Sequence, residues 1–212
     1  MTLIFFENPT KVRSSGILEE LFGATGIHFE KGAVVTFIGK AFLSNGIHFR
    51  GQCEIDDGVS IDVGCVLQNV SIGSDTNVRS YSILNNSRFG KKNIIGPYCF
   101  VRDETCVGDS CVVGSHVEIA RSKLGASVKI SHQAFVGDAT LGDRVIIGAG
   151  VVFCNFDGSD KQSSEVGMDA LVGSGTMLVS PIKVGARALI GAGSVVTKNI
   201  ANDESFVQSR CK

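Results

Sequence analysis

Of the four histidines in this 212-residue chain, His132 is the one whose surroundings suit acid–base chemistry. It belongs to a series spaced one structural repeat apart, Pro97, Ser115, His132, Ala149, Ser174 and Ala192, in which its partners are small or non-ionisable. An unperturbed imidazole titrates at about 6.5, so it can take a proton from an amine or a hydroxyl near neutral pH. A long thin ligand lying along the small residues would end at that imidazole. A second series, Asp103, Arg121, Asp138, Asn155, Ser180 and Lys198, carries Asn155 into an irregular segment, residues 154–165. From spacing alone, both series also fit plain exposed turns. His28, His48 and His116 read as solvated residues without the spacing of a zinc site. Among the seven cysteines there is no Cys-x-x-Cys pair, and Cys154 reads as a structural neighbour of Asn155 rather than a nucleophile. No metal site is expected.

What must position these groups is a six-residue repeat. An Ile, Val, Leu or Phe recurs every six positions, with some five-residue steps, from Ile55, Ile61 and Leu67 through Ile95, Val113, Ile130 and Ile147 to Val184, Ile190 and Val196. Helices repeat at about 3.6 residues and strands at 2, so neither explains the pattern. A unit that short cannot bury its own apolar residue and must stack on neighbours, which makes the chain a solenoid. Glycine often follows the apolar residue, as in Ile72-Gly73 and Ile147-Gly148, and is expected to serve corners with unusual dihedrals. Four residues after the apolar position comes a second inward one, small or β-branched: Val59, Cys65, Thr76, Ser82, Cys99, Thr105, Cys111 and Val117 among others. One large and one small inward residue per face predicts a narrow three-sided prism, a parallel β-helix. Eight coils at about 4.8 Å would give a column of roughly 38 Å. Face A carries Ile95, Val113 and Ile130, face B Val101, Ile119 and Val136, and face C the next apolar residue. His132 then falls on the edge after face A and Asn155 on the edge after face B, so one site using both needs a second subunit, as in a cyclic trimer.

Composition agrees. An apolar content of 43% suits a soluble domain, and no apolar run is long enough to span a bilayer. A net charge of −1 argues against general nucleic-acid or anionic-membrane binding. Nothing at the N-terminus resembles a signal peptide, and a cytoplasmic protein is expected. Cys53, Cys65, Cys99 and Cys111 fall on the small inward position and read as reduced core fillers. Residues 1–25 are expected to cap the prism with a strand at Leu3-Ile4-Phe5-Phe6 and a short helix, opened by Ser14 or Ser15 and closed by Gly23. The β-helix is assigned to residues 26–200, with a blurred register between Gly26 and Phe49 and the inserted loop 154–165, and residues 201–212 form a tail.

These segments carry a resemblance. Ile95-Gly96-Pro97-Tyr98, Ser131-His132, Val136-Gly137-Asp138-Ala139, Ile147-Gly148-Ala149-Gly150, Cys154-Asn155-Phe156-Asp157-Gly158 and Val172-Gly173-Ser174 resemble the C-terminal acetyltransferase domain of the bifunctional N-acetylglucosamine-1-phosphate uridyltransferase/glucosamine-1-phosphate acetyltransferase. The resemblance runs from Ile55 to Arg210, and the nucleotidyltransferase half has no counterpart. It implies a left-handed β-helix, a homotrimer and acetyl-CoA as cosubstrate, with an amino sugar as acceptor. By the same resemblance His132 is the base, Asn155 an active-site residue and Glu118 a group that orients the imidazole. Ser174 and Ala192, with Ala149 on the same column, line the CoA arm, and Arg210 meets its phosphate end. Arg102 and Lys161 hold the sugar phosphate, and the oxyanion is met by Asn155 or a backbone N–H of Gly148-Ala149-Gly150.

The departures from that family lie in the acceptor pocket. Ala120 replaces a lysine, Phe135 and Phe156 replace tyrosines, and Ile146 replaces an asparagine. Each lost polar partner costs a buried ligand about 1–3 kcal/mol, so the family's sugar phosphate is expected to bind poorly. Arg121 restores one charge next to Ala120 but points from the corner. The expected acceptor is a deoxy or nucleotide-linked amino sugar. O-acetylation of a sugar hydroxyl and a non-catalytic scaffold are the alternatives; a γ-type carbonic anhydrase lacks its histidines here, and serine acetyltransferase its helical N-terminal region.

Overall fold

The structure, a computed structural model, describes residues 2–5, 10–13 and 26–209, and every helical or strand element among them is a β-strand. The helix expected within residues 14–22 and the tail arginine Arg210 lie outside the described residues. Face A is an 11-stranded sheet in which one strand, Thr2–Phe5, runs antiparallel to Lys40–Leu43 and the others follow in parallel. Faces B and C share continuous ladders, because Val66–Ile72 and Ile83–Phe89 each run through the corner between them. A coil with one five-residue step is 17 residues long, so Ile83 lies opposite Phe100; a coil of three six-residue steps is 18, so Ile94 lies opposite Val112. The insertion lengthens one coil without breaking its register, and Thr140 lies opposite Glu165.

All the apolar positions of the repeat are buried, Leu124 being the most accessible at 6%. The small inward positions are equally dry: Cys65, Thr76, Ser82, Thr105 and Cys111 are fully inaccessible. Their hydroxyls meet backbone carbonyls, Ser82 Oγ donating to Arg79 at 2.7 Å and Thr105 Oγ1 to Arg102 at 2.7 Å, which removes the cost of burying them. Burial pushes the Cys65 thiol up to about 11 and the Cys99 thiol up to about 12, as befits core fillers.

Gly96, at φ +90°, has the unusual dihedrals expected of a corner glycine, but most of the series has a different cause. Gly73 and Gly148 do not adopt the left-handed conformation; they lie against the next coil, where a Cβ would stand 2.7 Å from the Gly90 carbonyl carbon and 2.5 Å from the Ser174 nitrogen. Two residues further on, the left-handed positions are taken by Gly150, Gly175 and Gly193 along the C-terminal part of one edge, by Tyr98 and His116 earlier on that edge, and by Arg121 on the next.

The segment with the blurred register is also coiled. Ile27, Ala33, Val35, Phe37, Ala41, Leu43, Ile47 and Phe49 point inward, and His28 lies opposite His48 after a longer coil. Two extra residues after Phe29 obscured the repeat there; from Phe37 it runs on through Leu43 and Phe49 with Ala41 and Cys53 as small inward partners, and the Phe37 and Phe49 rings meet edge to face at 6.1 Å. The column therefore has about ten turns, two more than the repeat alone suggested. Thr2–Phe5 and Thr10–Arg13 lie antiparallel against the first strands of two faces and cover edges that would otherwise pair with other chains. At the other end Ser205–Phe206 adds a parallel strand beside Leu189–Ile190.

Candidate active site

His132 ends the face A strand Lys129–His132, paired with Ser115 of the coil before, and its ring is exposed. On the C-terminal side of it the edge is bare. Ala149, Ser174 and Ala192 succeed one another, and the adjoining corner is glycine in each coil. Their backbones are laced together, Gly150 N donating to Gln133, Gly175 N to Ala149 and Gly193 N to Ser174 at 2.7–2.9 Å. Gly148 N is committed to Val172, which leaves the Ala149 N–H outside this ladder and available to an oxyanion. On the N-terminal side the same edge carries a stack of rings: Tyr81 on Tyr98 and Tyr98 on His116, each at 5.4 Å. His132 thus stands where a smooth track meets an aromatic one.

The second edge holds a network. The sequence alternates acid, base, acid and amide, one per coil, and the side chains meet accordingly. Arg121 grips Asp138 with two hydrogen bonds, Nε to Oδ1 at 2.7 Å and Nη2 to Oδ2 at 2.9 Å, and reaches Asp103 with Nη1 at 2.9 Å. Asp138 also accepts from the Asn155 amide, and Arg102 binds Asp103 and, at 2.8 Å, Glu118. The Arg121 hydrogen bonds, with smaller help from the Asn155 amide and the nearby Lys161 charge, hold the Asp138 carboxyl below the usual carboxylate range. Asn155 is buried to 8% exposure, so its anchoring decides where it points. Its N–H bonds Phe153 and its carbonyl accepts from Gln162, closing the base of the insertion. Asp157 ties that loop internally, accepting from the Ser159 and Asp160 N–H groups at 2.9 and 2.8 Å. Phe156 and Lys161 pair across it, with the Phe156 ring 61% exposed.

The structure brings Phe135 to this network. A Cβ on Gly137 would stand 2.5 Å from the Asn155 amide nitrogen and 2.7 Å from the tip of the Phe135 ring, so glycine is required for the two to converge over face B. Asn155, Arg102, Arg121, Glu118, Phe135, Phe156 and Lys161 therefore gather on and around one edge. His132, Ala149, Ser174 and Ala192 lie on the other. Within one chain the Glu118 carboxylate meets Arg102 rather than an imidazole, and the two arginines face three carboxylates. Ile146, 41% exposed, stands on the outer side of face A between Lys129 and Leu171. Ala120 is fully buried. Asp138 and Asp103, the groups that position Asn155 and Arg121, were not singled out by the sequence reading, although the alternating charges along their column were visible. Among the described residues no cluster of three His, Cys, Asp or Glu could hold a metal ion.

Residues 165–198 match the family model for the hexapeptide repeat of succinyl-transferase. The chain is 42% identical over 167 residues to the bifunctional protein GlmU of Janthinobacterium sp. (strain Marseille), covering 79% of this chain and 37% of that protein. It is 40% identical over 155 residues to GlmU of Synechococcus sp. (strain CC9605), covering 73% of this chain and 34% of that one. The chain thus spans about a third of the length of these curated relatives. Among solved structures, the UDP-N-acetylglucosamine acyltransferase from Campylobacter jejuni aligns over 82% of this chain and 67% of its own, with 19% identity and a TM-score of 0.49. The repeat and the site it carries define a hexapeptide-repeat protein. Over about three quarters of its length the chain is similar to part of the bifunctional protein GlmU, and its residues 165–198 carry the hexapeptide repeat.

Proposed function

We propose that the chain transfers the acetyl group of acetyl-CoA to the amine of an amino sugar, as a cytoplasmic homotrimer with sites between subunits. The observation that carries this reading is His132 at the head of the bare edge formed by Ala149, Ser174 and Ala192, in a chain about 40% identical to GlmU relatives. The thin arm of the cosubstrate follows that edge, with Arg210 at its phosphate end. The acceptor sits against Asn155 of a neighbouring copy, where Phe135 and Phe156 present apolar surface and suit a deoxy sugar, while Ile146 approaches it from face A of the copy that supplies His132.

The neighbouring copy is supported by two exposed apolar columns that flank the His132 edge. Ile146, Leu171 and Leu189 stand in register on face A, 41%, 39% and 46% exposed. Met177 and Val195 stand in register on face B, 36% and 47% exposed. Contiguous apolar surface of this kind marks an association face.

In the reaction His132 removes the proton of the amine as its nitrogen bonds to the thioester carbonyl carbon, the Ala149 N–H or Asn155 meets the oxyanion, and the imidazolium returns the proton to the departing thiolate. Glu118 acts on an imidazole only across the subunit boundary, since its own chain engages it through Arg102. Three carboxylates already hold the Arg102 and Arg121 guanidiniums, which leaves Lys161 as the remaining cation near the network for a phosphate. That favours an acceptor other than glucosamine-1-phosphate, with Arg102, Arg121 and Lys161 shaping the site.

The test is thiol release from acetyl-CoA over a panel of amino sugars, their 1-phosphates and nucleotide conjugates, with His132→Ala alongside. Turnover on an amino sugar that is lost in the variant is expected. Release that survives in the variant, or that requires a hydroxyl acceptor, overturns the reading.

A further inference from the structure

Next to the Asn155 network, on the N-terminal side of the same edge, lies a groove of about 1060 Å³. It is continuous with the site already described, since Arg121 and Asp103 line both. A hexosamine fills only a fraction of that space; ligand pockets of about 300–1,000 Å³ hold molecules of nucleotide size. The groove is lined by polar and charged residues whose aliphatic parts supply half its wall, and its charges differ from those of the network. Arg88 and Lys123 project from face C on either side of Cys106, in register through Arg88–Cys106 and Cys106–Lys123. Their Cα atoms are two strand spacings apart, about 9.5 Å. Among the described residues neither side chain makes an ion pair, whereas Arg102 and Arg121 are both neutralised. Glu104 stands on the corner above them with no side-chain partner, and Asn86 lies one coil before it.

From this pattern we infer that the groove takes the nucleoside diphosphate of a nucleotide-linked amino sugar. Arg88 and Lys123 flank the diphosphate, as two long unpaired cations at this separation can close on one dianionic group. The Glu104 carboxylate accepts from the two hydroxyls of the ribose, a geometry suited to a vicinal diol. The amino sugar then lies at the Asn155 end, where the Asp103 and Asp138 carboxylates, balanced by Arg121 and the nearby Lys161, offer acceptors to its hydroxyls and amine. The inference names the acceptor class of the acetyl transfer proposed above and rests on that reading for its chemistry, but not for its binding.

Binding is therefore measured without acetyl-CoA, by calorimetry with uridine diphosphate, thymidine diphosphate and inorganic pyrophosphate as probes. The full-length protein is compared with the double variant Arg88→Ser/Lys123→Ser and with Glu104→Gln; all three positions are solvent-facing and should leave the melting curve in place. The diphosphates should bind the wild type, and the double variant should bind at least about tenfold more weakly. Glu104→Gln should weaken uridine diphosphate, whose ribose carries both hydroxyls, much more than thymidine diphosphate, which lacks the 2′-hydroxyl, and leave pyrophosphate unchanged. Equal binding by wild type and double variant, or no binding of any probe, overturns the inference. Kinetics separate the two failures. If free amino sugars are acetylated yet no diphosphate binds, the groove assignment falls and the transferase reading stands. If the diphosphates bind through Arg88 and Lys123 but no acceptor releases thiol, the groove stands and the reaction falls.

Discussion

Asp138→Ala should loosen the candidate site by a calculable amount. Asp138 accepts two hydrogen bonds from Arg121 and one from Asn155, and its side chain is 17% exposed. Hydrogen bonds to charged groups contribute about 1.5–3 kcal/mol when buried, and exposure at this level reduces each to roughly 1 kcal/mol. Arg121 keeps Asp103, so the total loss should be about 2–3 kcal/mol. In a chain of this length about 1 kcal/mol lowers the melting temperature by 2–4 °C, giving a fall of roughly 5–10 °C by circular dichroism. The control is Arg144→Ala, which breaks a solvent-screened pair with Asp169 that is 56% and 36% exposed and should leave the melting temperature where it is. The pH dependence has a fixed sign. Because the folded Asp138 titrates below its unfolded value near 3.9, its contribution is complete above that value and disappears as pH falls through the lowered folded one. The gap between wild type and variant should hold from pH 7 to 5 and narrow below about pH 4. An Asp138→Ala protein that melts within about 2 °C of wild type at neutral pH, or a gap unchanged at pH 3, would refute the account of the network.

Other perturbations test other links. Phe153→Ala removes a fully buried ring at the base of the insertion and should cost about 3–5 kcal/mol by urea titration; a cost under 1 would show that the coil repacks. Gly148→Val places a side chain against the Ser174 backbone and should destabilise more than the same change at Gly191, where a Cβ comes no nearer than 3.2 Å to the Val207 side chain; equal melting temperatures would discount the close-approach argument. Ile146→Asp with Leu171→Asp puts charge into the apolar column of face A and should yield monomers by light scattering, an outcome whose absence would remove that face from the interface. Thiol labelling at pH 8 should modify Cys106 and Cys154 before Cys65 and Cys99, whose titration is pushed up to about 11 and about 12; early reaction of Cys99 would contradict its burial.

The sequence by itself determined the prism, because a solenoid is fixed by nearest-neighbour rules: each inward residue needs only its counterpart one coil away, and that relation is written in the spacing. For the same reason it separated His132 from Asn155 onto different edges, and it marked the insertion by the interrupted register between Phe153 and Val166. Between Gly26 and Phe49 two extra residues after Phe29 shift the register, and only the pairing of His28 with His48 and of Phe37 with Ile55 showed that the coils continue through it. The glycines following apolar residues were legible as necessary but not for the right reason, since the approach of the next coil's backbone cannot be read from one strand. Side-chain partnership was decided by tertiary structure alone. Column membership places Asp103, Arg121, Asp138 and Asn155 one above another, yet the choice of Arg121 to bind both acids, and of Arg102 to take Glu118, depends on where flexible charged arms meet at a bend. The chain's periodicity thus sets which residues share an edge, and the local competition among their charges sets what that edge can bind.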